Sequence, residues 1–328
     1  MRTGLEIAKT RVIGVDLSFE KTSVGIVDIR GNIIAETQFD TLEYESLSAY
    51  INKLCETIVQ LAEENGGIGR IRSVGISAPS GNFVRGSIVH ASNLPWPGDI
   101  PLAALMRDQL GLAVGVANDC HAAAMGEKIY GSAHGMKDFI VVHIGTGLGS
   151  CLFSNGQVQL GADGFAGEMG HMCMEYNGRQ CGCGHRGCLE PYVNTKGIIM
   201  TAQELMSKSD KPSLMRNLEK LTPRAITECC EQGDEMAIEV YRITGEYLGW
   251  GLATYASVLN PEAIIFTGGI SYAGKWLIGP TRETFENLVF HNARGRIKMY
   301  MSMLDNHHRD MLGASAVAWD VQEYSLFK

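Results

Sequence analysis

The chain has 328 residues, 45% of them hydrophobic and 20% charged, enough to bury a large core and to form two lobes. Its formal net charge of −8 argues against a broad nucleic-acid surface, and no apolar run reaches the roughly 18 residues that a membrane span requires. Met1 to Lys9 lacks the apolar core of a signal peptide, so a cytoplasmic location is expected, where nine cysteines stay as thiols or bind metal.

In chain order, Arg11 to Leu17 reads as a β-branched strand with Asp16 near its end. Ser23 to Val27 reads as a second, and Ile33 to Thr37 as a third after the turn Arg30-Gly31-Asn32. Leu47 to Glu63 spaces Tyr50, Ile51, Leu54, Ile58 and Leu61 at helical intervals, and Ile71 to Ser77 follows as a buried strand. Pro101 to Leu110 is expected to be helical and Ala113 to Ala117 extended, leading through Asn118-Asp119 into helix from Ala122 onward. Phe139 to Ile144, a glycine loop, Ser150 to Phe153, the turn Asn155-Gly156 and a short third run then repeat the opening order. Two similar β-meanders half a chain apart imply a duplicated architecture with one lobe per copy. Ser207 to Pro212 reads as a surface loop and Asp234 to Leu259 as one long helix stopped by Asn260-Pro261. Ala263 to Thr267 is a strand feeding Gly268-Gly269. Alternating strands and helices make this an α/β protein.

The densest chemistry lies between Gly164 and Glu190. His171, Cys181, Cys183 and Cys188 place one imidazole and three thiols within 18 residues, separated by glycines that permit tight turns, which is a zinc donor set. Glu168 and Glu190 flank it, so a metal that closes the loop also fixes both carboxylates. A buried thiol cluster or disulfide nest is the plain alternative, and His185 competes with His171 as nitrogen ligand. Cys55, Cys120, Cys151, Cys173, Cys229 and Cys230 lack such spacing and read as small apolar core residues.

Three loops carry further chemistry. Gly145-Thr146-Gly147-Leu148-Gly149 follows a buried strand; glycines there let backbone N–H groups approach phosphate oxygens while Thr146 adds a hydroxyl, although such a turn between strands is often only a turn. Gly268-Gly269 either lets a nucleotide lie against backbone or forms a plain strand-to-helix turn. Asp119, where a strand meets a helix, is either a helix N-cap or a general base placed to accept a hydroxyl proton during attack on a phosphoryl group.

Taken together, Ala91-Ser92-Asn93-Leu94, Ala117-Asn118-Asp119, Gly145-Thr146-Gly147, the Gly164 to Glu190 signature and Leu259-Asn260-Pro261 leading to Gly268-Gly269-Ile270-Ser271 resemble the ROK family of bacterial sugar kinases and sugar-responsive repressors. The resemblance covers nearly the whole chain. It implies the actin-like fold of hexokinases, two α/β lobes with a cleft that closes on a sugar and ATP. The lobes are expected at residues 1–118 with a C-terminal helix at about 311–328, and at residues 119–310 with the zinc loop 171–188. It further implies that Asp119 deprotonates a sugar 6-hydroxyl while Asn93, Asn118, Glu168, His171 and Glu190 hold other hydroxyls. His171, Cys181, Cys183 and Cys188 then hold a structural Zn²⁺, and Mg²⁺ enters with ATP. Gly145, Thr146 and Gly147 cradle the terminal phosphates, with Gly268 and Gly269 near the adenosine.

The chain departs from that pattern in two places. Where family kinases carry Gly-Gly-Thr-Lys, it has Ser18-Phe19-Glu20-Lys21, and Glu20 brings negative charge toward a phosphate site. Lys21 and Thr22 are the expected phosphate contacts in a reshaped loop. His121 stands where family glucokinases have asparagine. The expected activity is phosphorylation of glucose or a relative such as mannose, N-acetylmannosamine, allose or fructose, by a homodimer that binds neither membrane nor nucleic acid. The competing expectation is a non-catalytic sugar sensor or regulator. The family's repressors carry an N-terminal helix-turn-helix, and about ten residues precede the first strand here.

Overall fold

The computed structural model describes residues 8–90, 94–305 and 308–321. The chain forms two compact units: one takes in Met1–Gly135, Leu160–Phe165 and Met303–Lys328, the other Met136–Gln159 and Ala166–Ser302. The expected break between residues 118 and 119 therefore shifts to Gly135. The reason is packing, since the helix that begins at Asp119 lies against the C-terminal helix and belongs to the first core.

The first unit opens with β1 (Arg11–Leu17), β2 (Lys21–Asp28) and β3 (Ile33–Asp40), then α1 (Leu47–Glu64) and β4 (Ile71–Ser77). The short pair β5 (Gly81–Asn82) and β6 (Ser87–Ile88), α2 (Leu102–Leu110), β7 (Ala113–Ala117) and α3 (Asp119–Ile129) follow. The sheet runs β3-β2-β1-β4-β7, with β2 antiparallel to β1 and β3 and the pairs β1–β4 and β4–β7 parallel. One face packs on α1 and α2 through Tyr50, Leu54, Ile58, Leu102 and Met106.

The second unit contains β8 (Phe139–Ile144), β9 (Leu148–Ser154), β10 (Gln157–Val158), α4 (Glu190–Val193), α5 (Thr195–Lys208) and α6 (Pro223–Glu231). It continues with α7 (Glu235–Leu259), β11 (Ala263–Thr267), α8 (Lys275–Leu288) and β12 (Lys298–Met301). Its sheet runs β10-β9-β8-β11-β12, with the same succession of two antiparallel and two parallel pairings. The duplicated meander read from the sequence is thus a duplicated five-stranded topology, the actin-like, hexokinase-type fold. Ile140, Val142, Ile264 and Phe266 form its core with residues of α5, α7 and α8. Asp234 caps α7 by accepting from the N–H groups of Met236 and Ala237, and Asn260 ends it in the left-handed region at φ 46°.

α9 (Arg309–Asp320) returns to the first unit and covers the second face of its sheet. It approaches so closely that a Cβ on Gly75 would overlap the Ala314 carbonyl, and one on Gly14 would lie 2.6 Å from the Met311 carbonyl. The far end of the expected C-terminal helix, residues 322–328, lies outside the described residues. Among the described residues no helix is long and apolar enough to cross a membrane.

Candidate active site

In the first unit the parallel strands deliver their C-terminal ends side by side. Asp16 pairs with Ser77 across β1–β4, and Ser77 with Ala117 across β4–β7. Beyond Ala117 the chain turns into α3. Asn118, not Asp119, is the N-cap: its side-chain oxygen accepts from the His121 N–H at 2.7 Å, which frees Asp119 from the capping role that competes with catalysis. Ser77 Oγ donates to Asp119 Oδ1 at 3.2 Å.

Asp119 is open to solvent. The protein packed around it holds its carboxyl above the usual range, to about 6, with the Ser77 hydrogen bond opposing and Asp310 adding repulsion. Asp16 is raised to about 7, by burial first and then by Asp310 and Asp119. The three carboxylates therefore sit in one electrostatic cluster on β1, α3 and α9. Asp16, Ser77 and Asp310 are neighbours of Asp119 that the sequence did not reveal.

The loop between β1 and β2 is a tight turn in which the Ser18 N–H donates to the Lys21 carbonyl at 2.9 Å and Ser18 Oγ to the same oxygen at 2.8 Å. Ser18, Phe19, Glu20 and Lys21 are exposed, so Lys21 is available for a phosphate. Thr22 is not, which corrects the expectation that it contacts a phosphate. Strand alternation turns it inward, where it is 0% exposed and its hydroxyl bonds Thr41 and Tyr50 at 2.9 Å each. His121 is 5% exposed and packs edge-on to Phe83 with ring centroids 5.3 Å apart; burial lowers its pKa to about 4, leaving a neutral ring. Asn93 lies outside the described residues.

In the second unit Gly145, Thr146 and Gly147 form the turn between β8 and β9, with the Gly145 N–H donating to the Gly147 carbonyl at 3.0 Å. The Gly145 carbonyl is anchored by the N–H and hydroxyl of Thr195, each at 3.0 Å. Thr146 is exposed. Gly268 lies against this strand end: its φ is 91°, and a Cβ there would overlap the Ile144 backbone, so glycine is required for both reasons. Beside it, Gly269 and Tyr272 line an open cavity of about 410 Å³ with Arg224 and Glu228 of α6.

The cysteine loop closes on itself. His171, Cys181, Cys183 and Cys188 bring their donor atoms within 4.8 Å of one another. Cys183 Sγ is 3.7 Å from Cys188 Sγ, and His171 Nδ1 is 3.6 Å from Cys181 Sγ. Zinc–sulfur bonds of about 2.3 Å require tetrahedral edges of about 3.8 Å, so the set fits that ion. His185 falls outside the four-residue group. Burial and the neighbouring thiols push Cys188 up to about 12, a mutual repulsion that a cation relieves. The other ring nitrogen of His171, Nε2, faces Glu168 at 4.0 Å. Glu190 links the two loops of this unit, since Oε2 accepts from the Leu148 N–H at 2.9 Å and Oε1 lies 3.8 Å from Cys181 Sγ. Of the six cysteines read as core residues, Cys173 departs: it is exposed, while the other five are buried.

The expected site residues thus fall into two sets. Lys21, Asn118 and Asp119 belong to the first unit, and the glycine loops, Glu168, His171, Glu190 and the thiols to the second.

The chain is similar to known proteins over nearly its whole length. A glucokinase of Thermotoga maritima is 31% identical over 314 residues, 94% of this chain and 97% of its own length. The xylose repressor of Bacillus subtilis is 27% identical, over 94% of this chain and 77% of its own length. The crystal structure of a ROK family glucokinase from Streptomyces griseus in complex with glucose and AMPPNP superposes with a TM-score of 0.73 at 28% identity, covering 94% of this chain and 99% of that one. The ROK family sequence model matches residues 12–321, and the chain belongs to the ROK family.

Proposed function

We propose that this protein is an ATP-dependent hexose kinase, with glucose its first-choice substrate and Asp119 its general base. The observation that carries the reading is the Asp119 carboxylate: open to solvent, oriented by Ser77, and raised toward neutral pH, the range in which a base both accepts a proton and exists ionised. The glucokinase relative supports the choice of sugar.

In the reaction Asp119 takes the proton of the sugar 6-hydroxyl as that oxygen forms a bond to the γ-phosphorus. The bridging β–γ oxygen leaves on ADP. Gly145 and Gly147 offer backbone, and Thr146 its exposed hydroxyl, to the phosphates; the exposed Lys21 is a further phosphate contact. Gly268 and Gly269 border the adenosine, and Mg²⁺ arrives with ATP. Asn118, Glu168, Glu190 and Nε2 of His171 hold sugar hydroxyls, Asn93 being a further contact. His171 Nδ1 and the thiolates of Cys181, Cys183 and Cys188 hold a structural zinc, which when bound neutralises the thiolates and fixes the imidazole. Exposed apolar residues on one face of α7, Trp250 at 43% and Val258 at 80%, support a homodimer, which light scattering would show as twice the monomer mass.

The test is ADP release with Mg-ATP and a panel of hexoses and N-acetylhexosamines. Turnover on one sugar is expected, and Asp119→Ala should lose about 10²- to 10⁴-fold in kcat while sugar still raises its melting temperature. An undiminished Asp119→Ala enzyme removes the base assignment. The Phe19-Glu20 turn and the repressor relative favour a second reading, a sugar sensor. That reading takes over if sugars stabilise the protein and none is phosphorylated.

A further inference from the structure

Ser77 ends β4 between two carboxylate-bearing elements, opposite Asp16 on β1 and opposite Ala117 on β7, two residues before Asp119. It is 1% exposed, and a buried hydroxyl needs a partner. Its hydrogen bond goes to Asp119 Oδ1 at 3.2 Å. A hydroxyl donates more strongly to an ionised carboxylate than to a protonated one, so this bond favours the proton-accepting form and restricts rotation of the carboxyl group.

We propose that Ser77 is a positioning residue for phosphoryl transfer, holding Asp119 ionised and aimed through its hydroxyl. The proposal rests on Asp119 being the base. The other charged groups around Asp119 work against ionisation. Asp310, on α9, repels it while itself lying 3.5 Å from Arg309 Nε, and Asp16 on β1 interacts repulsively with it. His121 on the same helix is buried and neutral. Among the described residues of this cluster, Ser77 is thus the group whose hydrogen bond opposes protonation of Asp119.

The experiment is kcat against pH at saturating Mg-ATP and sugar for the wild type, Ser77→Ala, Ser77→Thr and Asp119→Asn. Loss of one hydrogen bond to a carboxylate moves its pKa by about one unit. The acid limb of Ser77→Ala should therefore move up by about one pH unit, giving a deficit that approaches about tenfold below the wild-type limb and vanishes above the variant's own limb. Its KM for sugar should stay within about twofold, and Ser77→Thr, which keeps the hydroxyl, should restore the limb. An unmoved limb in Ser77→Ala overturns the proposal, as does a loss that is equal at every pH. If Asp119→Asn turns over like the wild type, the base assignment falls and takes this one with it. If Asp119→Asn is inactive and the Ser77→Ala limb is unmoved, only the role of Ser77 falls.

Discussion

Asp16 shows what a carboxylate costs when a strand end carries it into a crowded cluster. Burial and the repulsion of Asp310 and Asp119 raise it to about 7, so the folded chain holds a proton that the unfolded chain releases near pH 4. Its effect on stability is therefore absent below about pH 4, grows as pH rises, and is complete above about pH 7. Asp16→Asn should stabilise the ligand-free protein by on the order of 2 kcal/mol at pH 8 and by nothing measurable at pH 4. Thermal melts at the two pH values check this, and equal shifts at both would show that the gain is not electrostatic. Asp119 was legible in the sequence because a strand-to-helix junction marks it. Ser77, Asp16 and Asp310 were not, because they lie 42, 103 and 191 positions from Asp119 in the sequence and only strand register and α9 packing bring them together. Thr22 was misread for a related reason: its partners Thr41 and Tyr50 show that the strand begins at Lys21, and a strand start fixes which alternate residues face inward.

Among the elements, the strands buried on both faces were the most legible. β1, β4, β7, β8 and β11 were read from the sequence at the bounds that the structure gives them, since an apolar β-branched run bounded by turn residues admits few alternatives. β12 was not read: most of it is exposed, and pairing with β11, rather than its own hydrophobicity, makes it a strand. α8 contains Pro280, which reads as a breaker, yet the ring packs where Gly245 of α7 has no side chain to oppose it. The cysteine loop was legible as a candidate donor set from its spacing, which left His185 beside His171 as the nitrogen; the fold groups His171 with the three thiols. Within the loop Gly187, at φ 78°, packs so tightly that a Cβ would overlap the Glu175 carbonyl. On the proposed zinc set, metal coordination orders this loop. Cys188→Ser should leave less than about 0.1 zinc per chain by elemental analysis and expose residues 172–189 to protease, because Zn²⁺ affinity in such sites falls steeply when a thiolate is lost. The KM for sugar should rise at least about tenfold, since His171 and Glu190 lose their support. Full zinc content in this variant would overturn the donor assignment.

At the scale of the molecule, one topology used twice has been given different ends. Both sheets run through two antiparallel and two parallel pairings, yet the first meander turns through Ser18-Phe19-Glu20-Lys21 and the second through Gly145-Thr146-Gly147. The second turn is built of glycine and threonine; the first presents a phenyl ring and a carboxylate beside one lysine. If the first turn meets ATP, Phe19→Gly with Glu20→Thr should lower the KM for ATP severalfold, by about 1 kcal/mol of relieved repulsion and strain, with the KM for sugar unchanged. The overall charge bears on the alternative of a regulator. A duplex is neutralised by cationic side chains that release counterions, and this chain carries 28 lysines and arginines against 36 acidic residues. At 150 mM salt the protein should show no DNA affinity tighter than about 10⁻⁴ M, with or without sugar. The same preparation should release ADP from Mg-ATP and a hexose. A salt-sensitive gel shift at nanomolar protein, together with absent turnover, would reverse the assignment and make the altered first turn the mark of a kinase fold converted to sensing.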